Sequence, residues 1–138
     1  MSGFSLPIRV YYEDTDAAGV VYYANYLRFF ERARTEWLRE LGFEQKRLAM
    51  DLGIAFVARS ISVEYLKPAH LDDRLNLVSE IESVGRAQVV FAQRVARQEE
   101  LLLTSKMRIA CVESARMRPA AMPKEIYEAF KALTGNRP

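Results

Sequence analysis

Three carboxylates fall within four positions in the segment Glu13-Asp14-Thr15-Asp16-Ala17-Ala18-Gly19. A run rich in β-branched and aromatic residues, Ile8 to Tyr12, precedes it, and Val20-Val21-Tyr22-Tyr23-Ala24-Asn25-Tyr26 leads from it into a helical repeat. A helix start presents backbone N–H groups that have no partner inside the helix, together with the positive end of its dipole. The segment therefore delivers a carboxylate beside donors suited to an oxyanion. Acyl transfer to water needs both parts. The carboxylate serves as general base or nucleophile, and fixed N–H groups hold the charge that develops on a carbonyl oxygen. Ala17, Ala18 and Gly19 leave room for a ligand to approach, and neighbouring aromatics would exclude water and take an acyl chain. The same residues also have a plainer reading, because Asp-Thr-Asp before a helix is common turn and capping chemistry. On that reading Asp14 shapes the loop, Asn25 is an N-cap before it is a substrate ligand, and Tyr22, Tyr23, Tyr26, Phe29 and Phe30 are core before they are pocket.

The elements that must position these groups follow from hydrophobic period. From Ala24 to Leu41 apolar residues recur at steps of three and four: Tyr26, Phe29, Phe30, Ala33, Trp37 and Leu41, widened by Leu27 and Leu38. Glu31, Arg32, Arg34, Glu36, Arg39 and Glu40 fill the other side, where Arg32–Glu36 and Glu31–Arg34 have the spacing of ion pairs. Gly42 sits where a C′ glycine stops a helix. Such a rod is about 27 Å long, and its aromatic stripe needs a broad partner, most simply a sheet. Glu44 to Leu52 suits a short second helix. Strand patterns then run from Ile54 to Leu66, Leu75 to Val84, through Val89, Phe91 and Val95, and from Leu101 to Val112. In the first of these, Ile61, Val63 and Tyr65 share a face while Phe56 is out of phase, which predicts a bulge. The short breaks favour antiparallel hairpins, and Pro123 suits position N1 of a last helix to Leu133. The expectation is one α+β domain over 1–138, a long central helix wrapped by a curved antiparallel five-stranded sheet.

Composition narrows the function classes. Twenty Lys and Arg against 18 Asp and Glu, a net charge of +2, carry no strong footprint for nucleic acid. One cysteine, Cys111, and one histidine, His70, exclude an internal disulfide and a zinc site of Cys and His ligands. Cys111 lies among Ile109, Ala110 and Val112 and reads as a small buried hydrophobe, and His70 reads as a loop residue. No apolar run approaches ~18 residues and no secretory signal opens the chain, so the expected setting is the cytoplasm, without membrane insertion.

The long stretch Val10-Tyr11-Tyr12-Glu13-Asp14-Thr15-Asp16-Ala17-Ala18-Gly19-Val20-Val21-Tyr22-Tyr23-Ala24-Asn25-Tyr26, with Phe30-Glu31-Arg32-Ala33-Arg34-Thr35-Glu36, closely resembles the hotdog-fold acyl-CoA thioesterases. Within them it is similar to the Tol–Pal system-associated branch, related to 4-hydroxybenzoyl-CoA thioesterase. The resemblance continues through Phe56-Val57, Val63-Glu64-Tyr65, Pro68-Ala69, Leu71-Asp72-Asp73 and Val90-Phe91 to the region from Met117 to Lys124. It implies the hotdog fold and hydrolysis of acyl-CoA to free acid and CoA, with no cofactor and no metal. By the same resemblance Asp16 is the catalytic carboxylate, as general base or as nucleophile through an anhydride. The Tyr23 backbone N–H polarises the thioester carbonyl, Gly19 lets the thioester approach, and Asn25 is a substrate contact. Arg86 is the first choice for a CoA phosphate contact, ahead of Arg59 and Lys67. It further implies a homo-oligomer, dimer or tetramer, with sites at subunit interfaces. An acyl carrier protein is the alternative acyl donor, and a non-catalytic acyl-CoA or acyl-carrier-protein binder is the competing function. A hotdog dehydratase would need a histidine within the motif, and His70 lies outside it. Several members of the branch carry His where this chain has Tyr23. The 4-hydroxybenzoyl-CoA enzyme has Tyr there, so a backbone role survives while the acyl group stays open: short aliphatic, longer aliphatic or aromatic.

Overall fold

Alternating apolar residues build five long strands around one buried helix. The computed structural model describes residues 3–134; the outermost positions of the expected domain, 1–2 and 135–138, lie outside the described residues. The elements in chain order are β1 (Phe4–Arg9), a 3-10 turn (Tyr12–Asp14), α1 (Asn25–Glu40), α2 (Gln45–Leu52), β2 (Ile54–Tyr65), β3 (Arg74–Val84), β4 (Gln88–Arg97), β5 (Glu100–Glu113), β6 (Arg118–Pro119) and α3 (Lys124–Thr134). The long strands form one curled antiparallel sheet in the order β1-β3-β4-β5-β2, and the two-residue β6 joins β5 off that path. This is the hotdog architecture.

The expected helical stripe is the core. Tyr26, Phe29, Phe30, Ala33, Trp37 and Leu38 are buried, and a large apolar side chain contributes about 1.5–3 kcal/mol on full burial. Aromatic rings carry the contact across the layers: Trp37 stacks on Phe4 at 5.9 Å and meets Phe91 at 6.0 Å, and Phe130 of α3 meets Phe91 at 6.1 Å. Gly42, at φ +97°, ends α1 with a Schellman pair, Phe43 N–H to the Leu38 carbonyl at 2.8 Å and Gly42 N–H to the Arg39 carbonyl at 3.0 Å.

The predicted bulge in β2 falls at Arg59. Ala58 faces Ile109 and Ser60 faces Arg108, so Arg59 is the extra residue. The shift lets Phe56 (opposite Cys111) and Ile61 (opposite Met107) both face the helix despite their odd spacing. Four details differ from the sequence expectation. The first strand starts at Phe4 and ends at Arg9, because the Val10 N–H goes to the Asp73 carbonyl and the Tyr11 N–H to the Asp14 carboxylate, which stops the β1–β3 ladder. Glu36 pairs with Arg39 at 2.7 Å rather than with Arg32, whose guanidinium lies over Phe29. Arg34 is not on the solvated side of α1: it bonds Gln93 and Met107 beneath the helix, so the Glu31–Arg34 pair does not form. Pro123 precedes α3 and accepts the Tyr127 N–H on its carbonyl.

Candidate active site at the mouth of the long helix

Asp14 shapes the acidic loop. Its Oδ2 accepts the Tyr11 N–H and its Oδ1 accepts Asn25 Nδ2, both at 2.8 Å, while its carbonyl accepts the Tyr22 N–H at 3.0 Å. One residue thus ties the start of the loop to the first turn of α1. Asn25 is the first helical residue rather than the N-cap; Ala24 holds that position, and Asn25 spends its amide on Asp14.

Beyond Asp14 the chain makes a tight turn. Asp16 N–H donates to the Val20 carbonyl and Gly19 N–H to the Asp16 carbonyl, each at 2.9 Å. Gly19 sits at φ +80° with open space where a Cβ would stand, so the turn itself calls for glycine. Asp16 Oδ1 accepts the Ala18 N–H at 2.8 Å; Oδ2 has no partner among the described residues, and the side chain is exposed. The Asp16 charge reaches Tyr22, whose phenol is pushed up first by Tyr23 beside it and in smaller part by that carboxylate.

The far side of the loop is braced by the segment after β2. Val21 N–H donates to the Ala69 carbonyl at 2.9 Å, and Val20 pairs with His70. That segment is held by Leu102, the bulged residue of β5, whose buried carbonyl accepts the N–H groups of Leu66 and Lys67. It is also held by an ionic chain: Lys67–Glu100 at 2.8 Å, Glu100–Arg97 at 2.6 Å and Arg97–Asp73 at 2.7 Å. Lys67 and then Arg97 pull the Glu100 carboxyl down to about 2. Burial opposes ionisation of Asp73, but the His70 N–H and the Arg97 guanidinium outweigh it and hold Asp73 below its ordinary value.

The helix mouth keeps its donors free. Among the described residues the N–H groups of Tyr23 and Ala24 donate to nothing, while the Tyr23 carbonyl accepts the Tyr65 hydroxyl at 3.0 Å. A cleft of about 260 Å³ opens beside them, walled by Val21, Tyr23, Tyr26, Tyr65, Leu66 and Lys67. The aromatic cluster divides between the two functions read from the sequence. Tyr26, Phe29 and Phe30 are core, while Tyr22 and Tyr23 remain 48% and 62% exposed. Burial pushes the Tyr26 phenol up, and its oxygen accepts the Ala69 N–H, which fixes the cleft floor.

Asp16, Gly19, Tyr23 and Asn25 are therefore gathered at one end of the sheet. Arg86 is not with them. It lies in the β3–β4 turn, and the 11-residue β3 separates that turn from the Asp73 end by roughly 33 Å. Arg59 is exposed on the β2 edge, and Lys67 is engaged by Glu100. Cys111 is buried, which pushes its thiol up. His70 is an exposed residue 3.8 Å from Asp73.

Sequence reasoning missed a polar belt under the middle of α1. Ser79, Gln93 and Ser105 are cross-strand neighbours on β3, β4 and β5, and all three are buried. Gln93 Nε2 donates to the Phe30 carbonyl and to Ser79 Oγ, and its Oε1 accepts Arg34 at 2.9 Å. Burial lowers the Arg34 guanidinium to about 10. The signal was in the period: Arg34 follows Phe30 by four and precedes Leu38 by four, so it sits within the buried stripe.

Known proteins share the sequence and the fold. The family described as the thioesterase-like superfamily matches residues 10–130. The acyl-CoA thioesterase YbgC of Haemophilus influenzae is 48% identical over 132 residues, covering 96% of this chain and 97% of that protein. The acyl-CoA thioester hydrolase YbgC of Escherichia coli O157:H7 is 48% identical over 129 residues, covering 93% and 96%. Among solved structures, a probable thioesterase from Bartonella henselae superposes with a TM-score of 0.84 at 35% identity, covering 88% of this chain and 99% of that one.

Proposed function

We infer that this chain, which belongs to the thioesterase-like superfamily, is an acyl-CoA thioester hydrolase with its reaction centre at the mouth of α1. One observation carries the placement. The Tyr23 and Ala24 N–H groups are unpartnered, and the Asp14–Asn25 bond ties the loop bearing Asp16 to the same helical turn. The thioester lies in the cleft beside Tyr23 with its carbonyl oxygen on the Tyr23 N–H, where backbone dipoles stabilise the developing oxyanion. Asp16 acts in one of two balanced ways. As general base it takes a proton from water while the water oxygen bonds the carbonyl carbon; the tetrahedral intermediate then expels CoA sulfur, which recovers the proton. As nucleophile its oxygen bonds the carbonyl carbon and CoA thiolate leaves; water then hydrolyses the acyl–aspartyl anhydride.

After single turnover in ¹⁸O-labelled water, label in the Asp16 carboxylate identifies the anhydride route with water attacking the aspartyl carbonyl, and trapping of an acyl–Asp16 adduct with hydroxylamine detects that route when water attacks the acyl carbonyl instead. Asp16→Asn lowers kcat by on the order of 10²–10⁴, the scale of a lost base. Release of CoA by Asp16→Asn at the wild-type rate would overturn the placement.

The sheet edge supports a second copy in the working enzyme. β2 pairs with β5 on one side and with no strand among the described residues on the other. A 12-residue open edge carrying exposed Ile61 and Tyr65 invites another strand. Antiparallel pairing of two β2 edges sets the Ile54 end of one copy beside the Tyr65 end of the other. That brings the Arg86 end of the sheet toward the partner's helix mouth, where Arg86 serves a CoA phosphate across the interface. The same basic turn favours CoA, with its several phosphates, over an acyl carrier protein as donor. One domain per copy, in the cytoplasm as the lone buried thiol suggests, completes the reading.

A further inference from the structure

α1 and β2 run side by side in opposite directions. The start of the helix meets the end of the strand through Tyr23, Tyr26 and Tyr65. Further along, the same two elements wall a second cavity of about 370 Å³, lined by Leu27, Glu31, Arg34, Ile61, Phe91 and Met107 among others. Its size lies in the ~300–1,000 Å³ range of ligand pockets. Its walls are apolar apart from Glu31, Arg34 and Gln45, and of these Arg34 is the most buried. Arg34 stands nine positions after Asn25, about 13 Å along the helix axis, and its side chain leans back toward the helix mouth, as long helical side chains do. One terminal nitrogen of Arg34 is fixed by Gln93 Oε1 at 2.9 Å and Met107 Sδ at 2.7 Å. The guanidinium lies over the Phe91 ring, 6.0 Å from its centroid; its remaining N–H groups have no hydrogen-bond partner among the described residues and are not sealed in protein, and Arg34 lines the cavity. No carboxylate lies within ion-pair distance of Arg34 among the described residues; Glu31, exposed at the cavity rim, acts on it only through its charge.

An arginine drawn under a helix without a carboxylate partner is costly for stability. A partner that arrives with the ligand explains both the missing carboxylate and the unused donors. We propose that the acyl group of the thioester runs from the helix mouth along the α1–β2 gap into this cavity, and that Arg34 selects acyl groups carrying an oxygen acceptor at their far end. The inference rests on the thioesterase reading and adds the substrate class to it. A carboxylate and a hydroxyl both offer the required acceptor. Gln93 is the positioning residue: its amide is saturated by Phe30, Ser79 and Arg34, so the guanidinium is held in place before substrate arrives.

The test measures kcat/KM of the wild-type enzyme for hexanoyl-CoA, 6-hydroxyhexanoyl-CoA and adipoyl-CoA. At least one oxygenated substrate is expected to exceed hexanoyl-CoA by roughly 10-fold or more, the scale of one hydrogen bond to a charged donor. Preference for the hydroxyl alone or for the carboxylate alone identifies the acceptor. In Arg34→Met the ratio of oxygenated to plain substrate falls to about one. In Arg34→Gln a hydroxyl preference persists and a carboxylate preference does not. Equal kcat/KM for all three substrates in wild type, or a ratio unchanged in Arg34→Met, overturns the proposal. Should Arg34→Met not fold, the wild-type ratio decides alone. Failure of wild type to cleave any thioester sinks the functional reading beneath it, whereas cleavage without discrimination sinks only this inference.

Discussion

Two polar regions flank the same helix and are finished in opposite ways. At the mouth of α1, backbone donors at Tyr23 and Ala24 and one oxygen of Asp16 are left open, on an exposed loop. Under its middle, the Ser79–Gln93–Ser105 belt is buried and Gln93 is saturated, with only Arg34 keeping donors to spare. Open polar groups in water are cheap and available to a substrate. Buried ones are costly unless paired. Substitution should therefore separate the two regions, with activity lost at the mouth and stability lost at the belt.

Asp16→Asn gives the widest separation. Beside its large loss of kcat, its melting temperature stays within about 3 °C of wild type, because exposed substitutions usually stay within ±0.5 kcal/mol and the side chain holds only the Ala18 N–H. A large drop in melting temperature would make Asp16 a structural residue instead. Gln93→Leu is the counterpart. It takes the amide donor from the Ser79 hydroxyl and one of two acceptors from the fixed nitrogen of Arg34, while the Phe30 carbonyl keeps its helical partner. A buried polar group left short of a partner costs about 1–3 kcal/mol, so a total of about 1–3 kcal/mol is expected in urea unfolding. A neutral result would mean that water replaces the amide and that the belt is not sealed.

Asp14→Ala belongs to neither extreme. It leaves the carboxylate of Asp16 in place but cuts the bonds from Tyr11 N–H and Asn25 Nδ2, so the acid loop keeps only its backbone tie, Tyr22 N–H to the carbonyl of residue 14, to the helix mouth. Misplacement of a reacting group by about 1 Å can cost up to 10²-fold, so kcat should fall by roughly 10-fold or more with little change in KM. A change confined to KM would instead place Asp14 against the substrate.

The sequence exposed these regions unequally, for a physical reason. Period reported apolar burial well: the stripe from Tyr26 to Leu38 and the Arg59 bulge, visible as a phase slip between Phe56 and Ile61, both stand in the structure. Spacing also reported the loop-to-helix junction, since the residues that build it are neighbours in the chain. Period was silent on polar residues that face inward. Arg34 fell among charged neighbours and was placed with them, although its four-residue steps from Phe30 and Leu38 put it on the buried side. Gln93 and the two serines gave no local sign at all, because what makes them tolerable is a cross-strand register fixed only in the folded sheet. Arg86 is a third case. Its charge suits a phosphate, but position along a strand decides which end of the sheet a turn occupies, and the β3–β4 turn is at the end away from Asp16 of its own chain, so the contact proposed for it is to a second copy's site.

The ionic chain behind the acid loop sharpens the comparison at its weakest point. Glu100 is held down to about 2 against an ordinary 4.5, by Lys67 first and Arg97 second, and Asp73 also lies below its ordinary value. Above about pH 4.5 both carboxyls are ionised in folded and unfolded chains alike, and the chain contributes its full stabilisation. As pH falls from about 4.5 toward 2, the unfolded protein takes up protons that the folded one refuses, so stability drains away across that window. Lys67 is exposed and Glu100, Arg97 and Asp73 are only half-buried, so water screens the pairs and the effect is small. Arg97→Met removes the guanidinium from both carboxyls. It should lower the melting temperature by a few degrees at pH 7 and flatten its fall between pH 4.5 and 2, so that the two curves converge in acid. Parallel curves would show that the ionic chain adds nothing to stability, and the bracing of the acid loop would then rest on backbone bonds: the Leu102 carbonyl, the Val21–Ala69 bond and the Val20–His70 pairing.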